Sequence, residues 1–211
     1  MDVRQAIELV GVAAFAASGV LSAGRKGMDL IGVAAIAFVT ALGGGTLRDV
    51  LLDRHPVFWI ANRNYVYACL AATVLTLVWV RMRVPPHRAL LVADALGLAF
   101  FVIAGTAIAQ QAGEWGVIAL MMGVITGTAG GVIRDVLSAE IPLVLRPGRL
   151  YVTAAIAGAS LYLVLDWLGV RRDFAGYAGM TLIAVLRFMS IRWNVQLPPP
   201  RFIADDYRFP D

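Results

Sequence analysis

The stretch Thr40-Ala-Leu-Gly-Gly-Gly-Thr-Leu-Arg-Asp-Val-Leu51 has a near copy in Thr126-Gly-Thr-Ala-Gly-Gly-Val-Ile-Arg-Asp-Val-Leu137. The two lie 86 residues apart (40 against 126), and the register holds outward without a gap. Glu8 falls on Asp94, Gly11 on Gly97, Phe15 on Phe101, Gly19 on Gly105, Gly27 on Gly113, Pro56 on Pro142, Arg63 on Arg149 and Tyr65 on Tyr151. A lone Gly-Gly-x-x-Arg-Asp match is weak, whereas an ungapped match across three apolar segments marks a duplication.

Both copies sit in apolar sequence. The 211 residues are 60% hydrophobic and 15% charged, with a mean hydropathy of +0.77; soluble domains run near 45–50% apolar and about 25% charged. The chain reads as an integral membrane protein. At ~20 residues per span it has room for roughly seven spans and no sizeable soluble domain, which excludes an appended catalytic or DNA-binding module. Apolar segments fall at about 4–23, 29–52, 64–80, 89–110, 115–137, 150–168 and 174–191. Runs such as 30–42 and 117–125 are apolar on every face, as helices are and alternating barrel strands are not. The expected fold class is therefore all-α. The first segment resembles a signal peptide in its place near Met1, but its internal counterpart argues that it is retained.

Three spans per copy is an odd number, so the second copy enters the membrane inverted. The expected division is a three-helix repeat at 1–88, an inverted repeat at 89–170, a seventh helix without a counterpart at 171–193, and a tail at 194–211. The net charge of +4 and pI near 9.6 come from residues scattered singly between spans, which excludes a nucleic-acid face. One side carries Arg25, Lys26, Arg81, Arg83, Arg88, Arg146 and Arg149, with Arg192, Arg201 and Arg208 in the tail. The other holds Arg4, Arg54, Arg63, Arg171 and Arg172. The positive-inside bias puts the first side and the Pro-rich tail in the cytoplasm and the amino terminus outside. Cys69 stands alone, and His55 and His87 have no ligand partners at metal spacing, so no metal, cofactor or catalytic set is expected.

Gly43, Gly44 and Gly45 lie mid-span, and Gly130 and Gly131 somewhat past the middle of theirs, where each glycine disfavours helix by ~1 kcal/mol relative to Ala. One reading is a helix break whose carbonyls suit a cation and whose amides suit a carboxylate. The other is close packing, since Ala37, Ala41 and Gly45, and Gly123, Gly127 and Gly131, form small-x-x-x-small faces. Arg48-Asp49 and Arg134-Asp135 follow the glycines at one offset. Charges inside a span cost ~2.5–3.5 kcal/mol each, so they face a cavity or a partner. Neighbours on a helix point ~100° apart, so each is expected to find its partner on another helix, with Arg48 toward the outer face and Arg134 toward the inner one. Glu8 and Asp94 read either as helix-dipole caps or as acids at the two mouths of a cation path. Arg187 is expected to snorkel to the cytoplasmic surface.

At these motifs the sequence resembles the bacterial branch of the trimeric intracellular cation (TRIC) channel family, also catalogued as glycine-transporter-domain membrane proteins. The likeness covers about residues 5–190 and rests on the motifs at 40–49 and 130–135 with Asp94-Ala-Leu-Gly97 and the segment from Phe101 to Gly105. It implies a bacterial inner-membrane protein of seven helices, a homotrimer in membrane lipid, and a pore in each protomer that passes potassium or sodium past the glycine-kinked second and fifth spans. Two departures stand out. Ala129 replaces the first glycine of the second triplet, and the basic lipid-binding motif of the animal members is not evident. The alternative function is a secondary transporter for glycine or another small zwitterion. An enzyme is not expected, because Ser18, Ser22, Asp49 and the histidines form no nucleophile–base set.

Overall fold

In the computed structural model, which describes residues 3–146, 150–193 and 195, the described residues form eight helices and no strand. The helices are α1 Val3–Arg25, α2 Leu30–Leu51, α3 Phe58–Ala61, α4 Asn64–Met82, α5 Ala89–Gln111, α6 Val117–Leu137, α7 Val152–Trp167 and α8 Arg172–Trp193. Arg149, Arg201, Arg208 and the expected tail, Val195 apart, lie outside the described residues.

Among the described residues, six helices are long and apolar enough to cross a membrane. The seventh expected span is α7, whose 16 residues rise about 24 Å, short of a ~30 Å hydrocarbon core. The sequence reading also missed α3, four residues packed under α2.

Capping repeats between the halves. α1 turns at Gly27 (φ 66°), with the Met28 amide donating to the Ala23 carbonyl; α5 turns at Gly113 (φ 93°), with Glu114 donating to Ala109. Positive φ is cheap only for glycine, which accounts for that residue at both positions.

Four helices form the centre. α1 packs on α2 and α5, α5 on α6, and α2 crosses α6; α4 flanks α1, and α8 lies against α5 and α7. Residues meet their own counterparts at the middle. Phe15 stacks on Phe101 with ring centroids 5.3 Å apart, beside Gly11 and Gly97, which leave room for the rings. Outward faces are apolar, with Leu75 70% and Ile31 80% exposed, as lipid or a second copy requires.

The expected helix break is not present. α2 and α6 run without interruption through their glycines, and the close-packing reading describes them instead. Thr40 and Thr126 donate their hydroxyls to the carbonyls of Ile36 and Met122, one turn back, so neither leaves a polar group unpaired at the centre.

Candidate functional site

The α2–α6 crossing is made of backbone. A Cβ on Gly44 would stand 2.2 Å from the Thr126 carbonyl oxygen, and one on Gly130 would stand 2.2 Å from the Thr40 carbonyl oxygen. These positions are equivalent in the duplication, so one contact is made twice. The other glycines meet side chains. Gly45 faces the Phe58 ring, Gly131 faces Tyr151 and Asp94, and Gly43 faces the end of Ile133. That explains why the second half tolerates Ala129 opposite Gly43: this position does not carry the crossing.

Beyond the crossing, each helix ends in its Arg-Asp pair, and both pairs are buried. Arg48 Nε donates to Asp49 Oδ1 at 2.9 Å, and Arg134 Nε donates to Asp135 Oδ1 at 2.8 Å. The expectation that each charge finds its partner on another helix holds for Arg134, which also reaches Asp94 on α5, and is corrected for Arg48, Asp49 and Asp135. The long arginine stem wraps across the ~100° between adjacent side chains, and in a dry interior the nearest carboxylate is preferred. The second carboxylate oxygen of each pair fixes a loop, accepting from the Phe58 amide at 2.7 Å and the Leu143 amide at 2.8 Å.

The two ends then diverge. At the first, Arg48 lies over the Phe58 ring at 5.4 Å, and Tyr65 donates to the Glu8 carboxylate. At the second, Arg134 Nη1 donates to Asp94 Oδ1 at 2.8 Å and to the Ser18 hydroxyl, while the Ser22 and Ser138 hydroxyls meet at 3.1 Å. The counterparts of Ser18, Ser22 and Ser138 are Ala104, Ile108 and Leu52, so polarity belongs to one end. Asp94 is fully buried in an ion pair, neither a helix cap nor an acid at an open mouth; Glu8 is half-buried. Arg187 does not snorkel. It is 1% exposed, with its guanidinium 4.4 Å over the Tyr151 ring, because Asp94 gives it a partner inside the fold.

Sequence reading passed over Ser18, Ser22, Ser138 and Arg187 as site residues. The four-residue spacing of the serines was a usable signal, and the match of Tyr65 to Tyr151 marked the tyrosines beside the acids.

A cavity of about 240 Å³ opens on the Asp135 side, lined by Ser22, Arg25, Lys26, His87 and Asp135 among others. Across its rim Glu140 pairs with Lys26 at 2.5 Å and Arg146 at 3.2 Å. Lys26 first, then Arg146, holds the Glu140 carboxyl below the usual carboxylate range. A lowered folded-state value means the contact stabilises the protein above the ordinary carboxylate range and is lost as pH falls through Glu140's own titration. The melting difference between wild type and Glu140→Gln should therefore be present at neutral pH, and disappear in acid or in high salt.

Two inward Arg-Asp pairs about a glycine crossing, within a bundle of membrane-length helices, define a multi-pass membrane protein with a polar feature along its centre. The glycine transporter family model matches residues 5–81 and 91–167. Among relatives, the inner membrane protein YadS of Escherichia coli K12 is 43% identical over 91% of this chain and 93% of its own length. The membrane protein YvgT of Bacillus subtilis is 33% identical over 95% and 98%. Among solved structures, the TRIC trimeric intracellular cation channel orthologue from Rhodobacter sphaeroides superposes with a TM-score of 0.87 at 39% identity, covering 92% of this chain and all 100% of that one. Another TRIC cation channel gives 0.85 at 34% identity, over 96% of this chain and 100% of that one. The chain belongs to the TRIC channel family, whose sequence model carries the glycine-transporter name. Its solved relatives are channels, not enzymes.

Proposed function

We propose that this protein is a monovalent-cation channel passing potassium or sodium, with a path inside each protomer of a homotrimer in the bacterial inner membrane. The observation that carries the reading is the Gly44–Gly130 crossing with a buried Arg-Asp pair beyond each end. In this conformation the path is shut where the two backbones touch. Parting α2 from α6 would expose the Thr40 and Thr126 carbonyls, whose negative ends suit a dehydrating cation. Gly43, Gly45 and Gly131 supply the clearance around that crossing. Arg48 and Arg134, held by Asp49 and Asp135, are the charges an ion must pass, and Glu8 is the acid nearest an outer mouth.

The halves are read as inverted repeats, which the two matched family segments and the paired contacts of Phe15 with Phe101 support. The unmatched α8 completes the seven. The Lys26 side, with the carboxyl terminus, is read as cytoplasmic and the amino terminus as external, from the loop charges. A carrier for glycine is not favoured, because the solved relatives are channels.

Purified protein in planar bilayers should give discrete unitary potassium currents, since carriers turn over too slowly to do so. Saturable glycine uptake that needs a coupled ion, without unitary currents, would overturn the channel reading.

A further inference from the structure

Asp94 stands between two guanidinium groups but serves only one of them fully. Its Oδ1 accepts from Arg134 Nη1 at 2.8 Å, whereas its Oδ2 lies 3.6 Å from Arg187 Nη2, outside hydrogen-bond reach. Among the described residues, Asp94 Oδ2, Arg187 Nε and Nη2, and Arg134 Nη2 are buried without a hydrogen-bond partner. Buried polar atoms are nearly always satisfied, so a cluster of unsatisfied groups built around one ion pair marks a network with a second arrangement close by. Only 3.6 Å separates Asp94 Oδ2 from Arg187 Nη2. A turn of the carboxylate, or a small approach of α8, would close Oδ2 onto Arg187 and loosen the hold on Arg134. Both states keep the Asp94 charge compensated, so neither buries a bare ion.

The cation on α8 is placed for this exchange. The Arg187 guanidinium sits over the Tyr151 ring at 4.4 Å, and its Nη1 lies 3.5 Å from the Leu150 carbonyl oxygen, so it is held beside the carboxylate. The first half has the matching tyrosine and acid, Tyr65 and Glu8, but α8 has no counterpart there to bring in a second arginine. One end of the path therefore has a competitor for its acid.

We infer that Arg187 is a positioning residue for the inner constriction: it competes with Arg134 for Asp94, and so sets how readily Arg134 leaves the path. This rests on the channel reading above, and bilayer recording of the full-length protein separates the two. Unitary currents from wild type are required first; their absence would remove the channel reading itself.

Given those currents, Arg187→Gln should lower open probability by about tenfold, within the range of couplings between sites, because Arg134 then has no second guanidinium competing for Asp94. Unitary conductance should stay at the wild-type value, since Arg187 does not line the path. Arg187→Lys keeps the charge but replaces the guanidinium over the Tyr151 ring with a compact ammonium, and should lower open probability by less, about threefold. Assembly and melting of each variant are measured alongside. Should Arg187→Gln fail to fold, Arg187→Lys decides: reduced opening at unchanged conductance supports the exchange, and wild-type opening refutes it. A folded Arg187→Gln channel that opens like wild type, or whose unitary conductance changes, refutes it as well.

Discussion

Alanine at Gly44 or at Gly130 is expected to destabilise the protein by about 1–3 kcal/mol, and valine by more, as overpacking of a tight contact does. Each added Cβ would stand 2.2 Å from a backbone carbonyl oxygen, of Thr126 in one case and Thr40 in the other. Neither oxygen can rotate away, since each belongs to a helix, so α2 and α6 must separate along their whole crossing. The two variants should lose similar amounts, because the contact is the same one seen from each half. Gly45→Ala should be milder, since the atom it meets at 2.5 Å belongs to the Phe58 ring, which can shift. Gly24→Ala, with nothing within 4 Å of its added Cβ, is the control that should keep or raise the melting temperature. Thermal unfolding and size-exclusion profiles in detergent check the series. If Gly44→Ala and Gly130→Ala melt like wild type, the crossing is looser in the protein than the geometry described.

The second large effect is at Asp94. Asp94→Ala leaves Arg134 and Arg187 facing each other without the carboxylate between them, in a site where both are at most 1% exposed. Removing one partner from a buried ion pair costs about 3–5 kcal/mol, chiefly because the remaining charge is stranded. Glu8→Ala at the equivalent position should cost less, about 1.5–3 kcal/mol, the worth of a hydrogen bond to a charged group, since Glu8 is half-buried and accepts from the Tyr65 hydroxyl. Arg187→Leu combined with Asp94→Ala should recover part of the loss, because Arg134 keeps Asp135 as its partner while the guanidinium left stranded is removed. Melting midpoints across these four proteins test the ranking. Equal losses at Asp94 and Glu8 would show that the two ends are energetically alike, against the difference in their surroundings.

Much of the architecture was legible in the chain because it depends on quantities local to each segment. Hydropathy over ~20 residues is a sum, so the boundaries of α2, α4, α5, α6 and α8 came close to those found, and α7 fell short only because helix ends depend on the loops that hold them. The duplication needs only a register, and it located both glycine groups, both Arg-Asp pairs and the Glu8–Asp94 match before any contact was known. What a residue does at its address was decided by the tertiary structure. Glycine both weakens a helix and admits a neighbour; propensity alone cannot choose between those uses, and the arrival of the Thr40 and Thr126 carbonyls made the choice in favour of packing. The partner of a buried charge depends on the rotation of every helix around it. Sequence spacing therefore could not foresee that Arg48 and Arg134 turn back to the adjacent aspartates, or that α1 contributes Ser18. Nor could it foresee Arg187: from the sequence a charge in the last span has an exit to the surface, and only the packing of α8 against α5 brings Asp94 within 3.6 Å and keeps it inside.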